Sequence, residues 1–234
     1  MQQLPLQLQP KESCTFDSYF PGPNQLVVEL LQNLFAAEGE QQVYLYSMPG
    51  LGKSHLLQAI CQQASSQQLT ASYLPLDQMP GVTPDILEGI ENLDLVAIDG
   101  LDAVIGQPEW EEGLFSLINF ARTARVRLVF AASKSPLELP LQLPDLQSRL
   151  SWGPVFQLKT LTDEEKRAAL QSRATVRGLE LADNVASYLL EHYPRELFIL
   201  FEHLDRLDKA SLAQQRRLTI PFIKNVLNTQ SPLD

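Results

Sequence analysis

The segment from Ser47 to Ser54 constrains the fold of this chain more than any other. It reads Ser-Met-Pro-Gly-Leu-Gly-Lys-Ser and connects a short β-branched and aromatic stretch, Val43 to Tyr46, to apolar residues at helical spacing. Glycines let the backbone curl so that its N–H groups face an anion, and the positive end of the following helix attracts the same charge. The segment therefore predicts a phosphate-binding loop between a strand and a helix.

Two residues at the end of this loop have predicted roles of their own. Lys53 is expected to reach the outer phosphates of a nucleotide, and the Ser54 hydroxyl is expected to hold Mg²⁺. Ser47 stands where the general pattern has its first glycine, which is the one departure from it. The loop residues predicted to contact the nucleotide are Pro49, Gly50, Leu51, Gly52, Lys53, Ser54 and His55, the last because of its position after the loop serine.

The alternation of strands and helices repeats along the first two thirds of the chain. The strands are too apolar to have a solvated face, which indicates a parallel sheet covered by helices on both sides. Five strands are predicted, at Val43 to Tyr46, Ala71 to Leu76, Leu93 to Ile98, Leu128 to Ala132 and Val155 to Leu158. Helices are predicted at Leu26 to Phe35, after the loop, at Pro84 to Ile90 and at Trp110 to Ala124.

The pattern becomes purely helical after about residue 160. Thr162 with Glu165 three residues later forms a capping box, and the helix that it opens is expected to end at Gly178. Further helices are predicted at Asp183 to His192, Arg195 to Leu207 and Pro221 to Leu227. We therefore expect a flexible tail over residues 1–12, a nucleotide-binding α/β domain over residues 13–160 and a small helical lid domain over residues 161–234.

Charge and cysteine usage limit the classes of function. The formal net charge of −10 argues against a protein that binds mainly through phosphate backbones, so Arg122, Arg125 and Arg127 are interpreted as a solvated face. Cys14 and Cys61 are interpreted as two buried or idle thiols, which fits a reducing, cytoplasmic setting. No signal peptide or membrane span is predicted.

A second acidic motif follows the third predicted strand. The apolar run that ends in Asp99 delivers a carboxylate to the carboxyl end of a parallel strand, where Mg²⁺ needs an oxygen ligand. The next residue is Gly100, where ATPases of this kind commonly have a second acid that orients the attacking water. Vigorous independent hydrolysis is therefore not expected. Asp102 is interpreted as a turn residue, with substitution for the absent acid as the alternative.

Four further segments carry a resemblance to a known family. They are Cys14-Thr15-Phe16-Asp17-Ser18-Tyr19 with Gly22 and Asn24, Ser133 at the end of a strand, Pro144 to Gly153 around Arg149, and Pro194-Arg195-Glu196-Leu197. Together with the loop, they make nearly the whole chain similar to the Hda family of AAA+ proteins, the short relatives of the bacterial initiator DnaA.

The resemblance implies roles for residues outside the loop. Phe16 and Asn24 would surround the base, Ser133 would be the sensor 1 residue, and Arg195 would be the sensor 2 residue that reaches the nucleotide from the lid. Arg149 would be an arginine finger that acts in trans on a partner's nucleotide, which makes it the predicted catalytic residue. The alternative is a surface arginine that pairs with Asp145 four residues earlier on a helix.

The amino-terminal tail carries the predicted partner-binding residues Gln3, Leu4 and Leu6. This tail resembles the short peptide by which replication proteins dock on the DNA polymerase sliding clamp, and an extended peptide of this kind can place leucines in a hydrophobic pocket. Two registers remain open, one that starts at Gln3 and one that ends on Leu4-Pro5-Leu6. If the resemblance is set aside, the composition of this segment favours a disordered tail.

The resemblance implies a regulator of replication initiation that binds ADP or ATP, with Mg²⁺ on Ser54 and Asp99. Its expected partners are DnaA, the sliding clamp and other copies of the chain. The chain has no counterpart to the DNA-reading module of DnaA, so sequence-specific DNA binding is not expected, and its place is the cytoplasm, at the nucleoid through its partners. The rivals are an autonomous AAA+ ATPase acting as a helicase or clamp loader, a small P-loop kinase, and a nucleotide-stabilised scaffold.

Overall fold

A computed structural model describes residues 14–214 and 216–228, arranged as two compact units. The first unit ends at Lys159 and the second begins at Thr160. The predicted clamp-binding residues Gln3, Leu4 and Leu6 lie outside the described residues.

The first unit is built on a five-stranded parallel sheet. Its strands are β1 (Gln42–Tyr46), β2 (Ala71–Pro75), β3 (Leu95–Asp99), β4 (Arg127–Ala132) and β5 (Val155–Gln157). They lie in the order β2-β3-β4-β1-β5, and every neighbouring pair is parallel. Because parallel neighbours share a direction, all five strands end at one edge of the sheet. The predicted α/β class with a five-stranded parallel sheet is confirmed.

Helices α1 (Gln25–Gln32), α2 (Lys53–Ser66), α3 (Pro108–Ala124) and α4 (Pro144–Leu150) complete the first unit. The three central strands, β1, β3 and β4, are buried on both faces, and successive residues contribute to different cores. Leu95 and Ala97 belong to the cluster that contains α1 and α2, whereas Val96 and Ile98 belong to the cluster that contains α3 and α4. This burial explains why the strands are continuously apolar.

The helix predicted from Pro84 to Ile90 is absent. The structure has two short 3₁₀ turns there, Pro84–Leu87 and Ile90–Asn92. Gly89 separates them with φ at +78°, a left-handed conformation that interrupts a right-handed helix. Leu87 and Ile90 are nevertheless buried in the core. The apolar spacing identified residues that are buried, but two separate 3₁₀ turns bury them as well as one helix would.

The second unit contains α5 (Asp163–Val176), α6 (Asp183–His192), α7 (Leu197–Gln214) and α8 (Ile220–Asn228). The predicted capping box opens α5: the Thr162 hydroxyl accepts a hydrogen bond from the Glu165 amide, and the Glu165 carboxylate accepts one from the Thr162 amide. One leucine-rich cluster, which includes Leu170, Leu189 and Leu204, forms the core of this unit. The predicted helical lid is confirmed.

The described residues also bear on the predictions from composition. Cys61 is 2% exposed, and burial raises the pKa of its thiol to about 12, so it is inert near neutral pH. Cys14 is partly exposed. Within residues 14–214 and 216–228, acidic, histidine and cysteine side chains do not gather into a group that could hold a metal ion, and no helix there is long and apolar enough to cross a membrane.

Candidate functional site

The phosphate loop leaves β1 at its carboxyl end and enters α2 at Lys53. Gly50 and Gly52 have φ values of +82° and +90°, which side chains rarely adopt, so both glycines are required by the turn. A Cβ atom at Gly52 would lie 2.6 Å from the ring of Tyr19. The loop is therefore shaped by its own backbone and by close contact with the amino-terminal segment.

Lys53 lies inside this loop rather than in solvent. Its Nζ donates hydrogen bonds to the carbonyl of Ser47 at 2.7 Å, the hydroxyl of Ser47 at 3.2 Å and the carbonyl of Met48 at 3.1 Å. Burial lowers the pKa of Lys53, while the charges of Asp99 and Asp102 oppose that shift. The departure from the loop pattern at Ser47 thus supplies a hydroxyl that helps to hold the lysine.

The amino-terminal segment is fastened to the first turn of α2 by His55. Its Nε2 lies 2.8 Å from the carbonyl of Thr15 and 3.2 Å from the hydroxyl of Ser18. Phe16 and Tyr19 pack against the apolar cluster beneath α1 and α2. His55 therefore connects the segment around Thr15 and Ser18 to the start of the helix that follows the phosphate loop.

Asn24 is 4% exposed and connects the start of α1 to the chain after β5. Its side-chain amide donates to the carbonyl of Lys159 at 3.0 Å, and its Oδ1 accepts from the Lys159 amide at 2.7 Å. Both polar atoms of the Asn24 side chain are thus hydrogen-bonded to the backbone of Lys159, 135 residues away. This arrangement fixes the amino-terminal motif against the end of the first unit.

Asp99 lies at the carboxyl end of β3, as the sequence predicted, and is 4% exposed. Its Oδ2 accepts a hydrogen bond from the Tyr73 hydroxyl at 2.8 Å, and its Oδ1 accepts one from the Gly100 amide at 2.9 Å. Burial, followed by the charge of Asp99, raises the pKa of Tyr73, so that its hydroxyl stays a donor. The carboxylate is therefore held in a fixed orientation toward the loop edge of the sheet.

Gly100, the residue after Asp99, has a left-handed backbone and leaves no room for a side chain. Gly100 has φ at +66°, and a Cβ atom there would lie 2.9 Å from the Cβ, Cγ and Oδ1 of Asp77. Asp77 follows β2, which is the neighbour of β3 in the sheet. The space beside Gly100 is thus filled by a carboxyl group from the turn that follows the adjacent strand.

Asp102 lies in the 3₁₀ turn Leu101–Ala103 after β3, in agreement with its interpretation as a turn residue, and it has a further contact. Its carboxylate accepts hydrogen bonds from both the amide and the hydroxyl of Ser133, each at 2.7 Å. Ser133 directly follows β4, so this pair joins the ends of β3 and β4. Asp102 is therefore a turn residue that also fixes Ser133 at the end of β4.

Arg149 lies in the last turn of α4 and packs on aromatic rings. Its guanidinium carbon is 4.0 Å from the ring centroid of Trp152 and 5.3 Å from that of Phe115. Its Nε is buried without a hydrogen-bond partner. The ion pairs formed among the described residues do not include Arg149, so the alternative in which it pairs with Asp145 is wrong.

The turn that carries Arg149 is held against the amino end of β1. The side-chain amide of Gln42 donates to the carbonyls of Arg149 at 2.8 Å and Leu150 at 3.1 Å. A Cβ atom at Gly153 would lie 1.9 Å from the carbonyl oxygen of Gln42, so only glycine allows this approach. Gln42 therefore satisfies carbonyls at the end of α4 that the helix itself leaves without partners.

Arg195 belongs to the second unit, in the link between α6 and α7. Its Nη1 forms an ion pair with Asp163 at 3.2 Å, and both side chains are more than half exposed. An ion pair this exposed adds little to stability. The guanidinium is therefore restrained only weakly within its own unit.

Comparison with known families covers nearly the whole chain. The model of the bacterial DnaA ATPase domain matches residues 10–157, and the model described as "Hda, lid domain" matches residues 163–227. The chain belongs to the bacterial DnaA ATPase family. Because its lid matches the Hda model, this member of the DnaA family is an Hda-like AAA+ protein related to replication initiation.

Solved structures agree with this DnaA-family fold. Domain III of the Thermotoga maritima replication initiation protein DnaA superposes with a TM-score of 0.76 at 18% identity, over 94% of this chain and 97% of that one. AMPPCP-bound DnaA from Aquifex aeolicus gives a TM-score of 0.69 at 21% identity, covering 88% of this chain and 72% of that one. The Thermotoga maritima RuvB Holliday junction branch migration motor gives a TM-score of 0.68 at 22% identity, covering 92% of this chain and 73% of that one.

Three contributors to the site were missed by the sequence predictions. Asp77 lies 23 residues before Gly100, and Gln42 lies 107 residues before Arg149, so neither proximity has a local signal. Trp152 lies within the segment from Pro144 to Gly153, but no role was predicted for it. An aromatic residue three positions after a candidate finger arginine was the signal available for it.

Proposed function

We propose that this chain is a negative regulator of replication initiation that stimulates hydrolysis of ATP bound to DnaA. In this proposal it holds ADP in its own loop, docks on the sliding clamp and places Arg149 in the ATP site of DnaA. A guanidinium is a planar, permanently charged donor that suits the charge developing on a transferring phosphoryl group. In other nucleotidases such a residue contributes roughly 10³ to 10⁵ in rate.

The position of Arg149 relative to β1 carries the proposal. The carbonyl of Arg149 is bonded to Gln42 at the amino end of β1, whereas the phosphate loop leaves β1 after Tyr46. At about 3.3 Å per strand residue, these ends are roughly 13 Å apart. An arginine at one edge of the sheet is badly placed for phosphates at the other edge. This arrangement supports action on a nucleotide held by another molecule.

The residues of the loop fit a bound nucleotide. The positive φ values of Gly50 and Gly52 curl the loop that precedes the amino end of α2, and the half-buried Lys53 is hydrogen-bonded within it. Binding would move Lys53 from its bonds with the Ser47 and Met48 carbonyls to the outer phosphates. Mg²⁺, held by Ser54 and Asp99, would neutralise phosphate charge. The AMPPCP-bound DnaA from Aquifex aeolicus, which shares this fold, supports nucleotide binding by this chain.

The remaining predicted contacts keep their proposed roles. Phe16 and Asn24 would border the base, and Ser133 and Arg195 would be the sensors. ADP suits this site better than a rapidly cycling nucleotide, because Gly100 lacks the acid that orients water and Asp102 is already bonded to Ser133. The proposed site is therefore one that binds a nucleotide without hydrolysing it efficiently.

Docking on the clamp is proposed from sequence alone. Gln3, Leu4 and Leu6 would supply the amide and the aliphatic side chains of the clamp-binding peptide. Tethering at the clamp raises the effective concentration of Arg149 near DnaA without any new contact to it. Action of this kind places the chain in the cytoplasm, at the nucleoid through its partners.

A reconstituted hydrolysis assay tests the proposal. ATP-bound DnaA would be incubated with DNA-loaded clamp and the full chain, and conversion to ADP would be followed. Arg149→Ala is expected to lower the stimulated rate by at least 100-fold, because the charge-stabilising guanidinium is lost. Arg125→Ala removes an equally charged, exposed residue at the end of α3 and is expected to leave the rate unchanged.

Normal stimulation by Arg149→Ala would refute the proposal and favour a scaffold. Rapid turnover by the chain alone, abolished by Asp99→Asn, would instead favour an autonomous ATPase. Appearance of a phosphorylated small molecule together with the loss of ATP would favour a kinase.

A further inference from the structure

Two arginines share the ring of Trp152. The guanidinium carbon of Arg149 lies 4.0 Å from the ring centroid and that of Arg122 lies 4.2 Å from it, so the two carbons are no more than about 8 Å apart. Neither guanidinium forms an ion pair with a carboxylate of the described chain. Two like charges are thus held close together on one aromatic surface without a counter-charge.

Trp152 is not part of a hydrophobic core. It is 37% exposed and is not a member of the buried clusters formed by the described residues. It also lines a cavity of about 330 Å³, together with Gln41, Gln42 and Arg122. The ring therefore contributes little to a hydrophobic core, and it is in contact with two cations.

The backbone around Trp152 is rigidly placed. The Trp152 amide donates to the Arg149 carbonyl at 3.2 Å, which closes the turn after α4. Gln42 holds the same carbonyl, and Gly153 packs against the Gln42 backbone. The turn that carries the indole is thus held by the hydrogen bond to the Arg149 carbonyl and by the packing of Gly153 on Gln42.

We propose that Trp152 is a positioning residue for Arg149, holding its guanidinium extended and without a carboxylate partner so that it meets an incoming phosphate in one orientation. The inference rests on the proposed function of Arg149. A long arginine side chain loses conformational freedom when it is immobilised, and stacking on the ring removes that freedom before the partner arrives. An unpaired guanidinium needs no ion pair to be broken before it binds a phosphate.

Kinetics with DnaA provide the first half of the test. Trp152→Leu is expected to lower the maximal stimulated rate by about three- to ten-fold, the range that corresponds to the usual strength of a cation–π contact. The concentration of the chain that gives half-maximal stimulation is expected to stay unchanged. Trp152→Phe, which keeps an aromatic face, is expected to restore the rate to within about two-fold of wild type.

A matched control separates loss of the stack from loss of an aromatic side chain. Arg127 packs on the ring of Phe35 at 5.3 Å, in a contact that does not involve Arg149. Phe35→Leu is therefore expected to leave the stimulated rate unchanged, as judged on samples whose melting temperatures show that they are folded.

NMR of the chain without DnaA provides the second half. The Nε–Hε signal of Arg149, assigned by its loss in Arg149→Lys, is expected to be shifted by the ring current of Trp152. The shift should be reduced in Trp152→Leu, where only the more distant ring of Phe115 remains, and should persist in Trp152→Phe and Phe35→Leu. An unchanged signal in Trp152→Leu would overturn the stack itself.

The kinetic and NMR measurements together distinguish a failure of the positioning role from a failure of the proposed function. If Arg149→Ala abolishes stimulation while Trp152→Leu retains the full rate, the positioning role is wrong and the proposed function stands. If Arg149→Ala stimulates normally, the proposed function is wrong, and the positioning role is overturned with it even where the NMR shift persists.

Discussion

Gly100 limits what the phosphate-binding edge of the sheet can do. Its backbone is left-handed, and the carboxyl group of Asp77 occupies the space that a side chain would need. An acid installed at this position would have to displace the Asp77 side chain. The absence of the second acid is therefore part of the local packing and not a single exchangeable residue.

We expect Gly100→Ala to be more destabilising than other glycine replacements with the same backbone strain. Gly89 has φ at +78°, and a Cβ atom there meets no described atom within 4 Å, so Gly89→Ala reports the backbone cost alone. Contact with Asp77 should add about 1 to 3 kcal/mol to the loss of unfolding free energy. Urea denaturation of both variants measures the difference.

The Asp77→Gly background serves as the control. Removal of the Asp77 side chain is expected to bring the cost of Gly100→Ala close to that of Gly89→Ala, because the two positions are in contact and couple. Equal costs of the two replacements in the wild-type background would contradict this account of position 100.

Helix ends distinguish the elements of the second unit. The Thr162 side chain and Glu165 form a complete capping box on α5, whereas Ala182 at the start of α6 has no side chain that can cap. Both residues have the extended backbone that an N-cap adopts. One helix is therefore already optimised at its amino end, and the other is not.

Opposite replacements at these two positions should shift stability in opposite directions. Thr162→Ala is expected to cost about 1 kcal/mol, because an amide of the first turn loses its acceptor, and Ala182→Ser is expected to gain about 0.5 to 1 kcal/mol. Thermal unfolding of the full chain, followed by far-ultraviolet circular dichroism, measures both. Stabilisation by Thr162→Ala would contradict the importance of the capping box.

At the scale of the whole molecule, the two units carry different parts of the proposed function. The first contains the loop, Asp99 and Arg149, and the second contains Arg195. A ligand that binds only the folded protein adds to stability by mass action. The loop is therefore predicted to couple nucleotide concentration to the stability of the unit that contains it.

ADP at about 100 times its dissociation constant is expected to add about 2.7 kcal/mol to the unfolding free energy. For a chain of this size, that corresponds to a rise of about 5 to 10 °C in melting temperature. Lys53→Ala should lose most of the rise, because the phosphates lose their cation, while Arg149→Ala should keep it. Scanning calorimetry measures these melting temperatures. A melting temperature that neither ADP nor ATP changes would rule out nucleotide binding.

Much of the fold was predictable because its signals are local. The strands are continuously apolar, Gly50 and Gly52 mark the loop, and Thr162 with Glu165 marks the start of α5. The one wrong element, the helix at Pro84 to Ile90, failed because apolar spacing alone does not distinguish a helix from two 3₁₀ turns separated by Gly89. Periodicity reports which residues are buried more reliably than it reports backbone geometry.

The sequence by itself determined the class of the fold, because strands and helices have local patterns. It also predicted the phosphate loop from its glycines, and its resemblance to a known family made Arg149 the candidate finger. Only the tertiary structure decided that Asp77 covers Gly100, that Asp102 holds Ser133 and that Gln42 fixes the turn of Arg149. These contacts join residues that lie 23, 31 and 107 positions apart. Strand order and register bring them together, and no short-range pattern records that order.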